Sequence, residues 1–173
     1  LLLDGQEMNE IAFASLQFGN NFNISQIKKI EVVRGPGSAI YGGYAEYAVI
    51  SIITKNGEEV NGVNVSTIAG FTNQSYARQN ISITAGKKIK DVTYSLSGFI
   101  GRGQRSNNDY RDIEGQQYNM NGNAALNPVN INAAVSWKDF SVRFIYDALN
   151  STTRDGYVSA LSKAYPLTFR NIL

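Results

Sequence analysis

From about residue 63 onward, apolar and polar residues alternate with a period of two, the mark of strands with two unlike faces. In residues 63–72, Val63, Val65, Ala69 and Phe71 alternate with Asn64, Ser66 and Gly70. In 77–86, Ala77, Ile81, Ile83 and Ala85 alternate with Arg78, Asn80, Ser82 and Thr84. In 92–101, Val92, Tyr94, Leu96 and Ile100 alternate with Thr93, Ser95 and Ser97. In 129–137, Val129, Ile131, Ala133, Val135 and Trp137 alternate with Asn130, Asn132 and Ser136. In 140–148, Phe140, Val142, Phe144, Tyr146 and Ala148 alternate with Ser141, Arg143 and Asp147. Each segment is roughly 9–10 residues, the length a tilted strand needs to cross a bilayer.

The connections carry a second signal. Residues 86–91 (GKKIKD) and the pair Lys138 and Asp139 are short, whereas 102–128 is long, polar and rich in Asn and Gln. A polar stretch begins again at Asn150. Short turns on one side and long loops on the other suit an outer-membrane barrel, although the short first loop, 73–76, departs from that scheme. Phe71, Tyr76, Phe99, Trp137 and Phe140 cluster near strand ends, as an interfacial girdle does. A soluble β-sandwich also alternates in and out. Against it, the polar face carries Ser, Thr and Asn rather than the Lys and Glu of a solvated sheet. Five strands cannot close a membrane barrel, whose minimum is about eight.

Before residue 63 the pattern is mixed. Residues 1–3 (LLL) read as a buried strand closed by a turn at Asp4 and Gly5. Ile24, Ile27 and Ile30 suit one helical turn leading into a short strand over 30–33. Ser38–Tyr41 is expected to be one helical turn with Ser38 as its N-cap. Residues 49–54 (VISIIT) read as a strand buried on both faces. Residues 55–59 form a polar connector, and 163–173, which contains Pro166, shows no clear element. Strands and short helices in alternation predict a small α+β unit, followed by a part made of strands only. The chain opens without a start Met, basic n-region or cleavage site, so its opening does not read as a signal peptide, and both ends read as cuts through something longer.

Composition narrows the chemistry. The 173 residues carry 16 Lys plus Arg against 14 Asp plus Glu, a net charge of +2, which offers no electrostatic footprint for nucleic acid. There is no His and no Cys. That removes Ser-His-Asp and Cys-His catalysis, His- or Cys-ligated metal sites and disulfides. An enzyme is therefore not expected, nor is a cofactor or a resident metal. No apolar run approaches 18 residues, which excludes a transmembrane helix but not a transmembrane strand.

The sharpest local feature is the run RGPGSAIYGG, residues 34–43. It fails as a phosphate cradle, because a P-loop ends in Gly-Lys-Ser/Thr and a dinucleotide loop needs a third Gly where Ile40 stands. Its plain reading is a tight turn held by glycines, with Arg34 pointing at a carboxylate. The longer run IKKIEVVRGPGSAIYG (27–42), followed by VISIITK (49–55), resembles the plug domain of TonB-dependent outer-membrane receptors. The LLLDG start resembles an earlier plug strand of that family. Tyr47 and Ala48 stand where the family usually has two glycines.

The resemblance implies the second half of a plug over 1–57, a linker over 58–62, and over 63–173 the first strands of a 22-stranded outer-membrane barrel. It implies an outer-membrane transporter of a Gram-negative bacterium that imports a scarce ligand: a ferric siderophore, a metal chelate or cobalamin rather than a glycan. The partners implied are the TonB complex, through segments not in these residues, the small-molecule ligand, and outer-membrane lipid. Arg34 would hold the plug against barrel carboxylates, while Gly35, Pro36, Gly37, Tyr41 and Gly42 would shape its turns. In the long loop, Arg102, Arg105, Tyr110, Arg111 and Tyr118 are candidate ligand contacts. Solvated loop charge is the plainer reading of the arginines. Asp109, Asp112 and Glu114 lack the spacing of a calcium loop. Glu58 and Glu59 read as a solvated linker, and Lys87, Lys88 and Lys90 as solvating a turn. The alternative to a transporter is a soluble all-β binding module.

Overall fold

The computed structural model describes residues 1–9, 19–35, 38–41, 47–72, 76–154 and 161–173. The chain is predominantly β, with two sheets that share one polar interface. The first sheet comes from the first 54 residues. β1 (Leu2–Leu3) turns through Asp4 and Gly5, both with positive φ, into β2 (Gln6–Glu7). A 3-10 turn (Ile24–Gln26), capped by the Asn23 side chain, leads into β3 (Ile27–Arg34). A single turn of helix, α1 (Ser38–Tyr41), precedes β4 (Ala48–Thr54). The strand order is β2-β1-β4-β3, with β1 parallel to β4. The helical turn expected over Ser38–Tyr41 is present. On β4, Val49 and Ile52 are buried while their neighbours are half-buried or exposed. Three residues apart on a strand, Val49 and Ile52 point to opposite faces, so each face of β4 carries one buried side chain.

Residues 57–60 form α2 (Gly57–Val60), so the expected linker is partly helical. Asn56 accepts from the Glu59 backbone N–H at 2.9 Å, and Glu59 accepts from the Asn56 N–H at 3.0 Å. This reciprocal capping box satisfies two of the donors that a helix start leaves open. Asn61 ends the helix in the left-handed region, φ 39°.

The second sheet is a six-stranded antiparallel wall: β5 (Gly62–Phe71), β6 (Tyr76–Ile89), β7 (Val92–Gln104), β10 (Ala125–Trp137), β11 (Phe140–Thr153) and β12 (Tyr165–Ile172). Each wall strand pairs with the next along the chain. A small hairpin, β8 (Asp109–Arg111) with β9 (Gln117–Asn119), rises from the long loop between β7 and β10. All five alternating segments are strands. β12 is a sixth that the alternation did not reveal. Pro166 stands opposite Thr152 in its pairing with β11. The wall is open, with β5 and β12 at its edges, and does not close into a barrel. Among the described residues no helix is long and apolar enough to cross a membrane.

The two faces of the wall are inverted relative to a water-soluble sheet. Ile81 is 57% exposed and Leu96 46%, while Asn80 is 6% and Asn132 4% exposed. The apolar phase of the alternation faces outward, and the polar phase faces the first sheet. Leu3, Met8 and Ile52 meet Ile145 of β11 in one small apolar cluster at that interface.

α2 is seated on the wall by close backbone approach. A Cβ on Gly57 would lie 1.9 Å from the Tyr94 carbonyl oxygen, and one on Gly86 would lie 2.7 Å from the Gly57 Cα. Two glycines facing each other let a helix rest directly on a hairpin. Gly57→Ala is expected to push α2 off β6 and β7 and to cost about 1–3 kcal/mol, the usual scale of overpacking. A thermal unfolding midpoint that does not move would contradict this seating.

Candidate functional site

The interface between the first sheet and the inner face of the wall centres on Asp4. The turn after β1 carries its carboxylate inward, where it is 5% exposed. One oxygen accepts from the Thr54 backbone N–H at 2.8 Å. The other accepts from the Thr54 hydroxyl at 2.8 Å, Asn132 Nδ2 at 2.8 Å and Arg143 Nη1 at 2.6 Å. Arg143 also donates to Asn132 Oδ1 at 2.9 Å, which closes a triangle across β10 and β11. Thr54 belongs to the first sheet, and Asn132 and Arg143 to the wall. Asp4 therefore joins the two sheets through one carboxylate. Such a pair contributes little beyond what its desolvation costs, but losing one partner strands the other in a buried place.

Further polar contacts extend the seam. Asn20 and Asn80 exchange side-chain hydrogen bonds at 2.8 and 2.6 Å. They fit because Gly101 opposite has no side chain; a Cβ there would lie 2.1 Å from Asn80 Oδ1. Asp147 of β11 accepts from Asn130 Nδ2 at 3.1 Å and is also hydrogen-bonded by Asn21. At the other end, Lys28 pairs with Glu59, and Lys88 with Glu58 at 3.0 Å. Glu58 and Glu59 are thus partners that tie α2 to β3 and to β6. Lys88 has a specific partner rather than only solvating its turn.

Arg34 is exposed at the end of β3, and no carboxylate among the described residues forms an ion pair with it. Gly35 takes φ 107°, which suits only glycine, and its N–H donates to the Tyr47 carbonyl at 2.9 Å. Tyr41 is the exposed last residue of α1. Pro36, Gly37 and Gly42 lie outside the described residues.

In the long loop, Tyr110 and Tyr118 are direct partners across the β8–β9 hairpin. Arg105 donates to the Thr152 carbonyl at 3.1 Å, tying the loop to β11. Arg154 sits 5.4 Å from the Tyr118 ring. The Tyr118 hydroxyl donates to Asp112 at 2.9 Å. That bond, with burial second, holds the Tyr118 hydroxyl above its usual range, since its ionisation would set two oxyanions together. Arg102 and Arg111 are exposed on β7 and β8 and do not join this group. Asp112 also accepts from the N–H groups of Glu114 and Gln116, and Asp109 from Gln117 and Asn119. Both carboxylates serve loop donors, and among the described residues no cluster of carboxylates is arranged to hold a metal.

The alternation could have placed Asn132 and Arg143 on the inward phase. Nothing in it pairs them with Asp4, more than a hundred residues away, which read only as half of a turn.

Residues 1–49 match the TonB-dependent receptor plug domain family. Asp4, Arg34 and the α1 turn all lie in the matched residues, and the seam described above runs between that part and the wall. The chain is also similar to the vitamin B12 transporter BtuB of Vibrio vulnificus (strain CMCP6), 39% identical over 98 residues. That match covers 57% of this chain and 16% of the transporter, so the chain spans only a small part of the relative's length. No solved structure matches the chain.

Two outcomes are expected. Arg143→Gln leaves Asp4 buried without its cation and should destabilise the assembly by about 3–5 kcal/mol. Asp4→Asn together with Arg143→Gln should restore part of that loss. Additive losses in a double-mutant cycle would show that the two residues do not interact. The second outcome concerns pH. The hydrogen bond from Lys28, then that from the Asn56 N–H, hold the Glu59 carboxyl below its usual value of 4.5. Its contribution is therefore complete above that value and is lost as pH falls through the lowered one. Amide exchange in α2, corrected for intrinsic rates, should rise on acidification below pH 4.5. Glu59→Gln should remove that dependence.

Proposed function

We propose that this chain is part of a TonB-dependent outer-membrane transporter. Residues 1–57 are the latter half of its plug, 58–62 the connector, and 63–173 the first strands of a transmembrane β-barrel. The observation that carries this reading is the inverted wall. On β5, β6, β7, β10 and β11 its outward face is mostly Ile, Val, Leu and aromatic side chains, and its inward face carries most of the Asn, Ser and Thr, under the first sheet. Apolar surface left in water costs about 25 cal/mol per Å². The same surface in hydrocarbon costs nothing, provided every backbone group is paired. The open edges at β5 and β12 require further strands to complete that pairing.

In this reading the plug blocks the pore until TonB, drawing on the proton-motive force, shifts it. The contacts to be released include the Asp4 seam and the plug-side arginine Arg34, which would meet carboxylates of later strands. Pro36, Gly37, Tyr41 and Gly42 shape the turns beside it. The seam suits such a role because it consists mainly of individually weak polar contacts rather than a large apolar core. The function is transport rather than catalysis.

The cargo is a scarce chelate, and the match to a vitamin B12 transporter favours cobalamin over a ferric siderophore. Arg102, Arg105, Tyr110, Arg111 and Tyr118 lie in or beside the loop that would face the ligand. A soluble β module is the weaker reading, since it would leave the outward rows bare in water.

The native product should migrate in the outer-membrane fraction as a band several times heavier than the 19.0 kDa of this chain. Its deletion should abolish uptake of labelled cobalamin at limiting concentration and spare uptake of ferric siderophores. A soluble band of the chain's own mass would sink the transporter reading. Loss of siderophore uptake alone would reassign the cargo.

A further inference from the structure

We propose that the two short turns of the wall are headgroup sites for a phosphoethanolamine lipid, the lysine of each turn meeting the phosphate and the aspartate meeting the ammonium. The proposal rests on the reading that the outward face meets lipid. Both turns are the same dipeptide. Lys90 then Asp91 closes β6 onto β7, and Lys138 then Asp139 closes β10 onto β11. In both, the lysine holds a left-handed φ, 53° and 51°. Gly and Asn occupy such positions at lower steric cost, so the repeated lysine is not what backbone geometry alone selects. All four charged side chains are exposed, and among the described residues none forms an ion pair. Each tip therefore offers one positive and one negative group on adjacent residues.

Directly behind the tips runs an outward row of successive cross-strand partners: Ile89, Val92, Trp137 and Phe140. Trp137 is 51% and Phe140 73% exposed, and their rings stack with centroids 6.5 Å apart. Lys138 Nζ lies 5.3 Å from the Trp137 ring, which places a cation at the polar edge of the aromatic row. Lys87 stands in the next outward row beside Tyr94, where its stem can lie along apolar surface and its ammonium reach the rim. The order from rows to tips is acyl-chain surface, aromatic belt, then charge, which is the order of a lipid leaflet. At the tips the charges cancel in pairs. A purely anionic headgroup would meet the aspartates unfavourably, whereas a zwitterion with a hydrogen-bonding ammonium satisfies both members of each pair. Two strand spacings, about 10 Å, separate the tips, so each takes its own lipid.

The test uses the full-length receptor in phosphatidylcholine vesicles that hold equal amounts of phosphatidylethanolamine and phosphatidylglycerol. The lipids that stay bound on purification are counted by mass spectrometry. The wild type should retain phosphatidylethanolamine over both other lipids. Lys90→Asn with Lys138→Asn, changes suited to the left-handed φ, should lower that enrichment roughly fivefold per lysine. Asp91→Asn with Asp139→Asn should lose the enrichment and retain more phosphatidylglycerol. Equal retention of all three lipids, preference for phosphatidylglycerol in the wild type, or an unchanged lysine variant would each overturn the headgroup sites. A receptor that enters none of the vesicles would overturn the membrane reading, and the sites with it.

Discussion

Five strands, β5, β6, β7, β10 and β11, present mostly aliphatic and aromatic side chains on the face that no described residue covers, and most of their Asn, Ser and Thr on the face that the first 60 residues cover. Everything else follows from that inversion. A sheet whose apolar side is bare requires an apolar surrounding. A sheet whose polar side is enclosed requires partners with matching donors and acceptors. The segment before the wall supplies them: Asp4 for Asn132 and Arg143, Asn20 for Asn80, and Asn21 for Asp147.

The seam between the two parts is specific without being strongly adhesive. Its apolar contact among the described residues is a small cluster of Leu3, Met8, Ile52 and Ile145, with Leu1, Phe22 and Ile27 packed against it. The rest is hydrogen bonds and one buried ion pair, which fix register more than they add stability. The α2 end is different in kind. There Gly57 and Gly86 bring backbone against backbone, and the capping box with the lysine pairs at Glu58 and Glu59 holds a four-residue helix that would not persist alone. The first 60 residues are thus located tightly where they join the wall and are held by separable polar contacts elsewhere.

The wall strands were readable because alternation is a local property that survives whichever face turns out to be buried. β12 escaped because Pro166 and a polar lead-in break the period. The β8–β9 hairpin escaped because three-residue strands rich in Asn and Gln are too short to show a period. Glu58 and Glu59 looked like solvated linker residues, since neither lysine partner was visible from spacing along the chain.

Residue order alone determined the strands, the short turns, the absence of His and Cys chemistry, and the plug-like run around Arg34. Each of these depends on neighbours within a few residues, or on composition. Only the tertiary structure decided which phase of the alternation faces out, because both phases are equally compatible with a strand. Only it joined Asp4 to Arg143 across 139 positions, since a hydrogen bond between distant segments leaves no trace in local pattern. Arg34, the residue whose surroundings looked most distinctive, ends exposed. Asp4, which looked like half of a turn, holds the two sheets together, because burial and partners rather than residue type determine what a charge does.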